Sequence, residues 1–161
     1  RQNQVLVNTL SDISRDLPKN LSWAEWGAGY GNFTYFLQER FGSRGWTSEA
    51  DPKMATLLKE NLSVISNSIK IEQARDSSPC EFEADLFFLD PPRSGFPELF
   101  TSMKSGKIKV PQFILAIHCH EKGRRGDWAS LNELGFKAQD IVGVDIFPGT
   151  PHLEAISLWK R

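Results

Sequence analysis

The feature that most constrains the fold is an alternation of short apolar runs with helical patterns, repeated along most of the chain. Residues 21–26 read as a short strand running into Gly27-Ala28-Gly29-Tyr30-Gly31, after which residues 32–41 carry helical periodicity. Residues 45–49 form a second strand candidate that ends on Glu49. Residues 51–62 read as a helix with Asp51 as N-cap and Pro52 at its first position, where a missing N–H costs nothing. Residues 70–73, 85–89 and 113–117 continue the strands, and residues 97–103 and 127–134 the helices. An amphipathic helix over residues 2–16, with Val5, Leu6, Leu10 and Ile13 on one side, opens the chain. Strands alternating with helices imply right-handed crossovers and a mostly parallel sheet covered on both faces, so the expected class is α/β. Residues 138–146 and 153–159 are strands joined without a helix, and are therefore expected to pair antiparallel.

Composition narrows the function classes. The chain has 161 residues, 40% hydrophobic and 24% charged, which suits one globular domain. No apolar run approaches the length of about 18 residues that a membrane helix needs. No charged-then-apolar leader opens the chain either, so a signal peptide is not expected. Two cysteines, Cys80 and Cys119, make neither a disulfide framework nor a metal cluster and point to a reducing compartment, the cytoplasm. Nineteen basic against twenty acidic residues leave a net charge of −1, so any nucleic acid must be recognised by a local site. The first residue is Arg1 rather than Met, from which the chain is expected to be a piece of a longer protein.

In sheets of this kind ligands bind beyond the carboxyl ends of the strands, where strand order reverses. Glu25, Gly27, Gly29 and Gly31 lie in a loop at such an end, and glycines let the backbone turn tightly against a ligand. The spacing G-x-G-x-G differs from the pyrophosphate-binding G-x-G-x-x-G. Glu49, at the next strand end, is placed to accept from both hydroxyls of a ribose. Together they suggest an adenosine-type cofactor without a pyrophosphate, which fits S-adenosylmethionine; singly, each is also compatible with a tight turn and a solvated glutamate.

Asp90-Pro91-Pro92-Arg93-Ser94-Gly95 presents an acidic strand end rigidly, because two prolines remove donors and hold the chain extended. It suits the polar edge of a substrate base or the methyl-donor pocket, and equally a capped turn. Cys119 follows a buried strand among His118, His120, Lys122, Arg124 and Arg125, where positive charge would favour its thiolate as a nucleophile. The alternative is a small buried hydrophobe. His118 and His120 lie at alternate positions without a fourth ligand, so no metal is expected. Residues 122–125 read as a solvated basic loop and as the best local phosphate footprint. Glu154 lies just inside the last strand, on the face opposite Leu153 and Ala155.

The order of these loops resembles the RNA (uracil-5)-methyltransferase family, which makes 5-methyluridine in tRNA and rRNA. Asn3-Gln4, the glycine loop from Glu25 to Thr34, the stretch Leu89–Gly95 and the segment Asp145–Glu154 are similar to that family's motifs. The resemblance implies a Rossmann-like class I methyltransferase fold: a seven-stranded, mostly parallel sheet with an antiparallel last strand. It implies Cys119 as nucleophile, Glu154 as general base and Asp90 as a substrate-orienting acid. Glu25, Gly27, Gly29, Gly31, Glu49, Asp76 and Asp90 would serve the cofactor, and Arg93, Arg124 and Arg125 the substrate. The chain departs from the family at His118-Cys119-His120-Glu121, where the usual reading is Ser-Cys-Asn-Pro. The expected partner is structured RNA, tRNA or rRNA, and the chain is expected to be monomeric. The family's amino-terminal RNA-binding barrel has no counterpart in these residues. Two other readings share the residues: an amino-methyltransferase using the Asp-Pro-Pro loop, and a non-catalytic domain that binds cofactor or RNA.

Overall fold

A computed structural model describes residues 2–42, 44–65, 68–75, 78–80, 82–150 and 153–161. The order of elements is α1 (Gln2–Ile13), β1 (Trp23–Trp26), α2 (Asn32–Phe41), β2 (Gly45–Glu49), α3 (Pro52–Asn61), β3 (Ile69–Gln73), β4 (Leu86–Leu89), α4 (Pro97–Lys104), β5 (Phe113–His118), α5 (Glu121–Glu133), β6 (Lys137–Val144) and β7 (Glu154–Lys160). The seven strands form one sheet in the order β3-β2-β1-β4-β5-β7-β6. All pairs are parallel except those of β7, which runs antiparallel to both β5 and β6. Strand order reverses between β1 and β4, so the crevice expected to receive a ligand opens at their carboxyl ends. Among the described residues no helix is long and apolar enough to cross a membrane.

The central strands β1, β4 and β5 are apolar on both faces except for Glu25 and His118, because helices cover both. On one face Trp23, Leu86, Phe88, Leu115 and Ile156 pack with Leu10 of α1 and Phe33 and Leu37 of α2. On the other, Ala24, Trp26, Phe87 and Ala116 pack with Leu99 and Phe100 of α4 and Leu131 of α5. The Trp26 ring lies 5.0 Å from that of Trp46 and 4.6 Å from that of Phe87. Helix α3 seats Leu58 against Ala28 and Ile71, which ties the glycine loop to the β2–β3 side.

Gly45 stands opposite Trp23 in the β1–β2 register, and a Cβ there would collide with the fully buried Trp23 ring. Gly45→Ala is therefore expected to cost about 3 kcal/mol by overpacking, read as a lower urea midpoint at unchanged slope.

Two boundaries differ from the sequence reading by three residues or more. Helix α1 stops at Ile13, and α5 begins at Glu121 rather than Asp127, with His120 as its N-cap accepting from the Lys122 N–H at 3.2 Å. Gly123 and Gly126 weaken the helical signal locally, whereas tertiary packing carries the helix through them. Residues 122–125 are consequently the first turns of α5 and not a solvated loop.

Candidate active site

Backbone hydrogen bonding builds the glycine loop. Gly27 and Ala28 donate to the Ser48 carbonyl at 3.1 and 3.0 Å, which folds the loop over the end of β2. Gly27 has φ +75°, and a Cβ there would sit 3.2 Å from the Asp90 carbonyl oxygen, so the loops after β1 and β4 touch at the switch point. Glu49 accepts from the Gly29 N–H at 2.9 Å and, through its other oxygen, from the Asp51 N–H at 2.8 Å. Asp51 caps α3 by accepting from Lys53 and Met54, both at 2.9 Å.

Glu25 lies inside the sheet rather than at its rim, only 1% exposed. One carboxyl oxygen accepts from the Thr34 hydroxyl at 2.6 Å and the Thr47 hydroxyl at 2.8 Å; the other has no hydrogen-bond partner among the described residues. Burial pushes its pKa up to about 7 against the opposing effect of the two threonines. Glu25 thus binds α2 and β2 to the root of the loop. Asp76, the other expected cofactor-side acid, lies outside the described residues.

Asp90 stands just beyond β4, and burial, with the charge of Glu154 adding, pushes its carboxyl up to about 7. The register of β5 with β7 pairs His118 with Ala155, which sets Cys119 beside Glu154 one step further on. Cys119 and Glu154, with Arg93, Phe147 and Thr150, line a cleft of about 240 Å³. Burial raises the pKa of the Cys119 thiol, the carboxylates of Glu154 and Asp90 raise it further, and Arg93 opposes them. This corrects the expectation of a thiolate favoured by surrounding cations: the charges that dominate at Cys119 are negative. Of the basic residues singled out, Arg93 reaches the cleft. Arg125 pairs with Glu121 one turn away, and Arg124 lies over the Trp128 ring at 5.2 Å, so α5 keeps both on its own surface.

Sequence reasoning gave neither His118 nor Asp127 a role in supporting this cleft from behind. His118 and Asp127, each 2% exposed, meet at 3.1 Å, and Asp127 also accepts from the Phe96 N–H. The signal was a histidine ending an apolar strand and an acid in the next helix, which spacing alone does not join. His120, by contrast, is spent on capping α5.

No family model matches the chain. The 23S rRNA (uracil(1939)-C(5))-methyltransferase RlmD of Shewanella sp. (strain ANA-3) is 29% identical over 138 residues, 82% of this chain and 30% of that protein. The tRNA (uracil(54)-C(5))-methyltransferase of Pyrococcus horikoshii is 27% identical over 131 residues, 81% of this chain and 30% of that protein. The chain is related to the RNA (uracil-5)-methyltransferases. It spans less than a third of the length of these curated relatives. Among solved structures, the tRNA (uracil-54, C5)-methyltransferase of Pyrococcus abyssi, in complex with S-adenosyl-L-homocysteine, superposes with a TM-score of 0.80 at 23% identity, over 98% of this chain and 38% of that one. The sheet order and the antiparallel β7 are thus those of a Rossmann-like methyltransferase fold, shared with the Pyrococcus abyssi protein.

Proposed function

We propose that this chain is the catalytic domain of an S-adenosylmethionine-dependent RNA methyltransferase that acts on carbon 5 of uridine. One juxtaposition supports the reading above all: Cys119, Glu154 and Arg93 line a single cleft, with the half-buried Asp90 near enough to act on both Cys119 and Glu154. The named activities of its relatives agree with it.

The loop residues fit the cofactor. Gly27 and Gly29 both have positive φ, and they present backbone without a Cβ where a ligand would lie. Each Glu49 oxygen accepts one N–H and retains a second lone pair, which leaves an acceptor for each ribose hydroxyl. Glu25 fixes the root of the loop through Thr34 and Thr47, and Asp76 is assigned to the adenine side by the family resemblance. When bound, the cofactor supplies an electrophilic sulfonium methyl group.

Carbon 5 of uracil is a poor nucleophile by itself. A bond from the Cys119 sulfur to carbon 6 turns the ring into an enolate-like species and makes carbon 5 reactive. The thiol must first lose its proton, and the acceptors at hand are Asp90, with its pKa near 7, and Glu154. Once carbon 5 is methylated, Glu154 takes the carbon-5 proton, and the carbon–sulfur bond breaks to release Cys119 as thiolate. The target base must leave its stack to reach the cleft. With a net charge of −1, this chain has little general attraction to a phosphate backbone, so RNA recognition by these residues falls to local groups such as Arg93 in the cleft. Two free cysteines suit the cytoplasm, where rRNA and tRNA are modified.

Calorimetric titration with S-adenosylmethionine tests the cofactor site. Saturable binding is expected, weakened about tenfold or more in Glu49→Ala, a loss of about 1.4 kcal/mol. Absence of binding by chain shown to be folded would count against methyl transfer of any kind.

A further inference from the structure

Behind the cleft lies a buried polar unit that the proposed chemistry does not use. His118 ends β5, and its Nε2 lies 3.1 Å from the Asp127 Oδ2. The Phe96 N–H donates to both Asp127 oxygens, at 3.0 and 3.2 Å. Gly95 has φ +79°, and a Cβ on it would collide with the Asp127 carboxylate. Gly123 of α5 is equally tight against the same turn: a Cβ there would sit 2.6 Å from the Gly95 nitrogen and 2.7 Å from the Arg93 carbonyl oxygen. The turn after Asp90 therefore rests directly on the backbone of α5, pinned at one side by a carboxylate that the imidazole orients. The His118 Nδ1 is buried and has no hydrogen-bond partner among the described residues, so the ring's polar commitment is to Asp127.

A buried carboxylate is costly unless it is paired. Here its two partners are the end of the strand that leads to Cys119 and the turn that carries Arg93. The unit thus links the two sides of the cleft. Arg93 is exposed and Cys119 half-buried, and the guanidinium is the cation that acts on the thiol from this loop. The other charged groups acting on Cys119 are Asp90 beyond β4 and Glu154 at the start of β7.

We infer that His118 and Asp127 are positioning residues: they fix the Arg93–Phe96 turn against α5 and so hold the Arg93 guanidinium beside Cys119, where an anionic substrate would meet it. The inference rests on the cleft being the substrate site, but its test needs neither RNA nor methyl transfer. It can therefore fail while uridine methylation stands, and it can hold where methylation fails.

The readout is the rate at which Cys119 in the 161-residue chain reacts with anionic iodoacetate relative to neutral iodoacetamide, followed by mass spectrometry with Cys80 as internal standard. A cation held at the thiol favours the anionic reagent, so Arg93→Gln is expected to lower the ratio about threefold. Asp127→Ala is expected to lower it as far, and adding Arg93→Gln to Asp127→Ala to change nothing more. Gly123→Ala, which leaves the His118–Asp127 pair in place and wedges a methyl group under the Arg93 carbonyl, is expected to do the same. The Cys80 ratio is expected to stay constant in all variants. A folded Asp127→Ala or Gly123→Ala chain that keeps the parent ratio overturns the inference. An effect additive with Arg93→Gln overturns it too, as does loss of folding in both variants, which would make the contacts structural only.

Discussion

Replacing Cys119 by alanine is expected to reduce uridine methylation on the order of 10⁴-fold or more, because the variant has no group to activate carbon 5. Cofactor titration should be unchanged, since Cys119 lies on the β5–β7 side and away from Glu49 on β2. The check is covalent capture with RNA carrying 5-fluorouridine, resolved on a denaturing gel. The parent protein is expected to stall as an adduct, because fluorine occupies the place of the proton that Glu154 would remove. Cys119→Ala is expected to give no adduct, and Glu154→Gln is expected to accumulate one even on ordinary uridine. Adduct formation without Cys119, or methylation of a base amine, would refute the carbon-5 chemistry. A parent protein that binds S-adenosylmethionine but never forms an adduct would instead favour a non-catalytic domain.

The second large effect is on stability and concerns Glu25. Its pKa rises from 4.5 to about 7 on folding, so the folded chain holds this proton more tightly than the unfolded chain does. Stability is then greatest below the unfolded pKa and is lost as pH rises through about 7. A rise of that size corresponds to about 3 kcal/mol between the two limits. Asp90, also raised to about 7, adds a change of the same sign. Urea midpoints measured from about pH 5 to about pH 8 are expected to fall steadily. Glu25→Gln, which keeps an acceptor for Thr34 and Thr47 but does not titrate, is expected to remove a large part of that slope. An unchanged slope in this variant would show that Glu25 stays charged, balanced by its two threonines.

Much of the architecture was legible because it follows from local patterns. Trp23–Trp26 and Leu86–Leu89 are apolar at every position but Glu25, a run that suits strands covered on both faces. Asp51-Pro52 marks the start of α3 by capping chemistry that needs nothing beyond the neighbouring residues. The start of α5 was not legible. Two glycines interrupt its periodicity, and the one at position 123 is there because a backbone passes too close for any side chain.

The site divides in the same way. Glu49 and the glycine loop were readable together, since both follow directly from strand ends; Cys119 was readable as a candidate nucleophile, whereas Glu154 took its role only from the family resemblance. The electrostatics of Cys119 were not. In sequence its neighbours are His118, His120 and Lys122, whereas in space its charged neighbours are Asp90, Arg93 and Glu154. His118 and Asp127 show the same limit, since only the packing of α5 on the turn after β4 brings them to 3.1 Å.

The sequence by itself determined the class of the fold, the order of its strands along the chain and the types of residue available at the ligand edge. Hydrophobic periodicity, caps and turns act over a few residues and leave their mark in the local pattern. Only the tertiary structure decided which charges surround the thiol, which arginine reaches the cleft and what pins the turn that carries it. Those are effects of distance and burial, and both depend on which elements the folded chain brings into contact.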